Sequence, residues 1–315
     1  MAKSNRKVLT RNQKRLIFYC LILAFPVLQF CIFYFYVNFN SLTMAFRKYD
    51  IIDNKLVSSF AGFSNFNRAF TILRESRSLI TNSVIYYFVH LIMGTGLGTV
   101  FAYYIYKNFP LASFFKVILF IPNIVAIIIL VTIYRYLCED AYTALAGFFG
   151  NEGAVGLLSN EKTRYWAIVV FNIWIGFGGT MLLMLGSMGG INEAIIESGQ
   201  VDGVNVVQEF IFIVIPMIFP TIITFVITGL SSIFVNQMNI LSFYGANVTA
   251  PRDVQTFGYR FLIDVARGSY VESGVLEGGL SYPIISSVGL IFSLVTFILI
   301  MTVKKLLEKF GPGVD

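Results

Sequence analysis

Six apolar runs, near residues 16–39, 79–106, 114–137, 165–188, 210–233 and 283–303, constrain this chain more than any other feature. Each holds at most two charged residues. At about 1.5 Å of rise per residue, each is also long enough to cross the roughly 30 Å of hydrocarbon in a bilayer. Backbone N–H and C=O groups find no partner in lipid, so a run of this kind is satisfied there only as a helix. One very large soluble core is the competing explanation, but it would leave charge spread along the chain. Here 57% of the 315 residues are hydrophobic and only 13% are charged, where soluble domains carry roughly a quarter. The sequence predicts an all-α integral membrane protein with six transmembrane helices.

An even number of spans puts the two ends of the chain on one side of the membrane. Lys3, Arg6, Lys7, Arg11, Lys14 and Arg15 precede the first run, and Lys304, Lys305 and Lys309 follow the last. The positive-inside rule then predicts a cytoplasmic basic segment at 1–15, a first span at 16–39 and a cytoplasmic tail at 304–315. Between them lie an outer connection at 40–78 and a core at 79–303, which contains a cytoplasmic loop at 189–209 and an outer loop at 234–282. The 40–78 connection also carries Arg47, Lys48, Arg68, Arg74 and Arg77, but it is long and mixed with Asp50, Asp53 and Glu75, and such loops weigh little in orientation. The net charge of +6 is thus a matter of topology, and no nucleic-acid partner is expected. The first run is too long for a signal peptide's apolar segment and no small-x-small site follows it, so it reads as an uncleaved span. Cys20 and Cys31 would lie about 16 Å apart along one helix and Cys138 stands alone, which leaves neither a disulfide framework nor a metal cluster.

Polar side chains inside the apolar runs are the candidates for a pathway, because an amide in hydrocarbon must find a partner or water. Asn172, Gly176 and Gly179 recur at i, i+4 and i+7 on one face of the fourth span, with Trp174 beside them. Amides that bond hydroxyls, together with an aromatic ring against C–H faces, suit a sugar. The alternative is that Asn172 bonds across to another helix. In the fifth span the hydroxyls of Thr221, Thr224, Thr228 and Ser231 share about one face, where bonding back to their own helix is the expected role. Asn236, Gln237 and Asn239 follow at its outer end. Gly94 and Gly98 form a Gly-x-x-x-Gly pair, expected to let two helices approach closely. No span has an acidic or basic residue at mid-depth, which disfavours coupling to an ion gradient, and His90, the single histidine, reads as a bonded packing residue.

Between the fourth and fifth spans runs GGINEAIIESGQVDGVNVVQEFIFIVIPMIFP, residues 189–220, a stretch without Lys or Arg that parity nevertheless makes cytoplasmic. Two short helices about a Gly-bearing turn at Asp202 and Gly203 are expected there, lying on the membrane face against a protein partner. Glu197, Asp202, Gly203, Phe210, Pro216 and Pro220 stand in the order and spacing of the EAA motif, and the stretch resembles that of ABC importer permeases. The family pattern has E-A-A-x-x-D-G-A, then F, then two prolines; here Ser198, Gly199 and Val204 replace its alanines. The segments FAGFSNFNRAF, LFIPNIVA, NIWIGFGG and NVTAPRDVQTFGYRFL extend the resemblance to permeases of the carbohydrate-uptake class over most of the chain.

That resemblance implies the type I importer (MetI-like) permease fold and a transport subunit rather than an enzyme. It implies a bacterial plasma-membrane location and a multi-pass chain that forms half of a pathway for an oligosaccharide. The partners implied are a second homologous permease subunit, usually a different chain, two ATPase subunits and an extracytoplasmic sugar-binding protein or lipoprotein, within membrane lipid. No cofactor is implied in this chain: it lacks a phosphate-binding Gly-x-x-x-x-Gly-Lys loop, and ATP and Mg²⁺ would be held by the ATPase subunits. Glu197, Asp202, Gly203, Phe210, Pro216 and Pro220 would couple to the ATPase, with Gly203 permitting close approach and Glu197 and Asp202 capping helices or pairing with basic groups. Asn172, Trp174, Gly176, Gly179, Ile233 and Gln237 would line the sugar pathway. An ion-gradient-driven secondary sugar carrier is the alternative reading.

Overall fold

The computed structural model describes residues 10–52, 55–245, 248–268 and 282–312. It divides into two compact units, Met1–Phe70 with Gly268–Leu290 and Thr71–Arg267 with Ile291–Asp315. Among the described residues, four helices are long and apolar enough to cross a membrane, or six if each of two sharply bent pairs is a single span.

The first unit is dominated by the helix Arg11–Met44, 34 residues long. Thr10 starts it with a capping box: its hydroxyl accepts from the Gln13 N–H and the Gln13 side chain accepts from the Thr10 N–H. The apolar side chains of this helix are exposed, a surface suited to lipid. The outer connection is more ordered than a loop. Arg47–Ile52 pairs antiparallel with Lys55–Phe60 in the register Arg47↔Phe60 to Ile52↔Lys55, and the helix Ser64–Glu75 follows. The Asn65 amide donates to the carbonyls of Ala45 and Arg47, each at 2.9 Å, and so joins helix and hairpin. One two-stranded hairpin is therefore added to the expected all-helical architecture.

In the second unit the second span, Arg77–Tyr106, lies against the fourth, Arg164–Met188. Gly98 sets the closeness: a methyl group there would meet Thr180 Cγ2 at 3.0 Å and the Phe177 carbonyl oxygen at 3.2 Å. Of the expected glycine pair, Gly98 gives the close approach of the two helices, whereas Gly94 faces the His90 ring of its own helix. The third and fifth apolar runs are not straight helices. Ala112–Asn123 and Ile127–Phe148 meet at 102°, and Val206–Met217 and Phe219–Ser232 meet at 67°. Proline explains both breaks, since it donates no N–H and its ring clashes with the preceding turn: Pro122 stands in the first, and Pro216 and Pro220 flank the second. The last helix, Tyr282–Phe310, begins in the first unit and continues in the second.

Two hydrophobic clusters lie along the fourth span. Ile168 and Phe171 join Tyr86, Met238, Phe243 and Tyr259 toward one end. Met181, Met184 and Met188 join Tyr103, Ile196 and Val214 toward the other. The outer loop contributes the helices Ile240–Tyr244 and Phe257–Gly268, and residues 269–281 of the expected 234–282 loop lie outside the described residues.

Candidate functional site

The loop after the fourth span contains a helix, Glu193–Val201, whose start and stop are both set by local chemistry. The Asn192 side chain caps the start, accepting from the Ala194 N–H at 3.1 Å. At the stop, the Gly203 N–H donates to the Gln200 carbonyl and the Val204 N–H to the Gly199 carbonyl, both at 3.0 Å, with Gly203 at φ +81°. These paired bonds are the Schellman motif, which needs a left-handed residue after the cap. Gly203 has that structural duty whatever it meets outside; a methyl group there would touch nothing within 4 Å. Asn205 then caps the next helix reciprocally with Gln208. The capping expected of Glu197 and Asp202 therefore belongs to Asn192 and Asn205, whose amides stand at the helix starts, whereas the two carboxylates point outward.

The loop helix turns Ile196 and Gly199 inward, and Gly199 admits the Ile213 side chain, whose Cδ1 would lie 2.6 Å from a methyl group. Glu193, Glu197 and Asp202 share its exposed side with Val201, which is 87% exposed. Phe210 packs against Tyr103 of the second span, the ring centroids 4.7 Å apart and the planes tilted by 36°. Pro216 and Pro220 bracket the bend of the fifth span, with Ile218 between them fully inside.

The loop's anchor is a group that sequence reasoning passed over. Glu209 is 3% exposed, and its carboxylate takes Lys107 Nζ at 2.9 and 3.1 Å, the Tyr103 hydroxyl at 3.0 Å and Gln200 Nε2 at 3.4 Å. Lys107 caps the C-terminal end of the second span, while Glu209 sits in the first turn after Asn205, so each charge also faces a favourable helix end.

Higher in the same unit the second, fourth and fifth spans enclose a cavity of about 220 Å³. Tyr86, Tyr87, His90 and Thr95 line it from the second span, Thr180 from the fourth, and Thr228, Gly229, Ser232, Ile233 and Asn236 from the fifth and its end. Several of its donors are already engaged: Tyr87 on the Val226 carbonyl, Thr180 on that of Gly176, and Ser232 on those of Thr228 and Gly229. What these oxygens still present is lone pairs, which accept from a ligand's hydroxyl groups.

Of the residues expected along the pathway, Ile233 lies on this wall. Asn172, 4% exposed, bonds inside the protein instead: its Nδ2 donates to the carbonyls of Ile168 at 2.8 Å and Met238 at 2.9 Å, and its Oδ1 accepts from Asn239 Nδ2 at 2.8 Å. It thereby holds a turn in which Met238 and Asn239 are both left-handed. Gly176 makes room for His90, whose Nε2 would be 2.9 Å from a methyl group, and Gly179 abuts Asn123 at the break of the third span. Trp174 meets Phe171 edge-on at 6.0 Å and is 39% exposed. Gln237 Oε1 is buried without a hydrogen-bond partner among the described residues. Ser232 is the lining residue the sequence reading missed; Thr228, expected to bond back to its own helix, Asn236, expected at the outer end of the fifth span, and His90, expected to pack, also lie on the wall. Their signals were a lone histidine in an apolar run and a polar residue at every fourth position from 228 to 236.

No protein-family model matches the chain. The arabinooligosaccharides transport system permease protein AraP of Halalkalibacterium halodurans is 23% identical over 322 residues, spanning 99% of this chain and 94% of that protein. The maltose/maltodextrin transport system permease protein MalF of Escherichia coli is 22% identical over 271 residues, 82% of this chain and 52% of that one. A chain in the crystal structure of a bacterial alginate ABC transporter, in complex with an alginate pentasaccharide-bound periplasmic protein, superposes with a TM-score of 0.75 at 20% identity, covering 96% of this chain and 99% of that one. The fold is that of ABC importer permeases, and the relatives this chain is similar to along most of its length are permeases of sugar ABC transporters.

Proposed function

We propose that this chain is one of two permease subunits of an ATP-driven, binding-protein-dependent oligosaccharide importer in the bacterial plasma membrane, with both ends of the chain cytoplasmic. The observation that carries the proposal is the capped loop helix Glu193–Val201. It presents an acidic and apolar outer side, yet is fastened inward through Glu209 to the second span. A helix finished at both ends needs no further folding to dock, and its exposed carboxylates and Val201 suit a groove with basic and apolar walls on an ATPase subunit. ATP and Mg²⁺ act in those subunits; this chain contributes the pathway wall and the docking helix, through Glu197, Asp202, Gly203 and Phe210, with Pro216 and Pro220 as the adjoining bend.

Carbohydrate fits the cavity, which offers hydroxyl oxygens, an amide and an imidazole without a formal carboxylate or ammonium group. An uncharged polyol donates into such a lining and leaves no counter-charge unpaired. Ile233, Gly229 and Asn236 form the wall in this reading. Asn172, Gly176 and Gly179 act behind it by placing the turn, His90 and the third span, and Trp174 and Gln237 stand as pathway candidates outside the lining.

The test is purification of the chain with its genetic neighbours and reconstitution into vesicles. Uptake of the sugar carried by the co-purified receptor should persist when ion gradients are collapsed and stop when the ATPase subunit is omitted. Uptake that follows the ion gradient instead would establish a secondary carrier and end this proposal.

A further inference from the structure

Resting on the reading of the loop as the docking point for an ATPase, we infer that the Glu209–Lys107 ion pair, with Tyr103, is the rigid link that delivers movement of the loop helix to the second span and so to the cavity wall.

The covalent routes out of the loop are poorly built for this. Toward the fifth span the chain bends by 67° between Pro216 and Pro220, neither of which donates a backbone hydrogen bond, so a push along the chain is absorbed there. Toward the fourth span the loop leaves through Gly189 and Gly190, the residues that resist backbone rotation least.

The non-covalent route is stiff. Gln200 on the loop helix, Glu209 on the next helix, and Tyr103 and Lys107 on the second span converge on one carboxylate that is 3% exposed. The Tyr103 hydroxyl also lies 3.1 Å from the Val206 carbonyl oxygen, and its ring covers Phe210. Sliding Lys107 away would leave a buried charge unpaired, and sliding Tyr103 or Gln200 away would cost that charge a hydrogen bond, so the four move as a body. The second span contains no proline: from Lys107 it is α-helical over Gly96–Tyr106 up to Thr95 on the cavity wall, then π-helical over His90–Thr95, with Tyr87 and Tyr86 on the wall beyond. Lys107 and Thr95 are about 18 Å apart along that helix at the usual rise per residue. Glu209, Lys107 and Tyr103 are thus positioning residues: they touch no substrate and act through the span they hold.

The experiment uses the full chain in its complex with the ATPase subunits that co-purify with it. Thr95 is replaced by Cys as a reporter on the cavity wall, and Cys20, Cys31 and Cys138 by Ser. The rate at which a water-soluble maleimide labels the reporter is measured with and without MgATP. MgATP should change that rate about tenfold, the scale of a typical coupling free energy. Glu209→Gln and Lys107→Met should still co-purify with the ATPase yet lose the MgATP response, and the exchanged pair Lys107→Glu with Glu209→Lys should regain it. Full responses in the single variants, or an exchanged pair that assembles but stays unresponsive, overturn the inference. Should the single variants fail to assemble, Tyr103→Phe, which removes one hydroxyl, decides: an undiminished response refutes the link and a reduced one supports it. A wild-type chain that recruits no ATPase at all would refute the underlying reading of the loop instead.

Discussion

Asn172 and Gly203 are two positions where one side chain or its absence holds a whole segment. Replacing Asn172 with Ala removes the donor of the Met238 carbonyl and the acceptor of the Asn239 amide, both inside the protein. The expected destabilisation is about 1–3 kcal/mol, read as a lower midpoint of thermal unfolding in detergent. At Gly203 the φ of +81° is the constraint, since space beside it is free. Gly203→Ala should therefore cost roughly 1 kcal/mol through the left-handed backbone. Gly203→Asn, which tolerates that conformation, should recover most of it, in both melting and sugar-stimulated ATP hydrolysis. Equal loss in Ala and Asn would mean that clearance toward a partner, rather than the cap, is what Gly203 supplies. An amide at 172 within an apolar run was legible as needing a partner. The partner was not, because it belongs to a left-handed turn 66 residues further on, which leaves no local pattern around Asn172.

At the scale of elements, four of the six expected spans were legible from apolar length alone, and Gly98 of the Gly94–Gly98 pair marked a close helix contact. The contact can be tested against a control one turn face away. Gly98→Leu forces a side chain into Thr180 and the Phe177 carbonyl and should destabilise by about 1–3 kcal/mol. Gly96→Leu meets nothing within 4 Å and should leave the melting temperature near that of the parent. The 102° and 67° bends were only half legible: Pro122, Pro216 and Pro220 were visible, but a proline in a span kinks or breaks the helix according to what its neighbours satisfy. The hairpin at Arg47–Phe60 went unread, since a short paired segment among mixed charges carries little of the apolar alternation by which strands are recognised.

On the scale of the whole molecule, what the sequence left open is which faces meet. Helices in lipid gain no hydrophobic contrast from touching one another, so an inward stripe is not marked by greasiness as it is in a soluble bundle. The polar residues had to serve as markers: at 172 the alternative expectation, a bond across the protein, is the one met, while 228, 232 and 236 lie on the cavity. Filling that wall is the corresponding prediction: Ser232→Leu should abolish sugar uptake while leaving the chain's recovery with its ATPase partners intact, as seen by co-purification and vesicle uptake on the same samples. The chemistry of the wall also bears on how long a sugar stays. Hydroxyls whose protons already point at their own helix carbonyls accept from a polyol about as well as water does, and no better. If the proposed function holds, such hydroxyls compensate a sugar for its lost hydration without holding it, which places the affinity in the soluble receptor rather than in the membrane part.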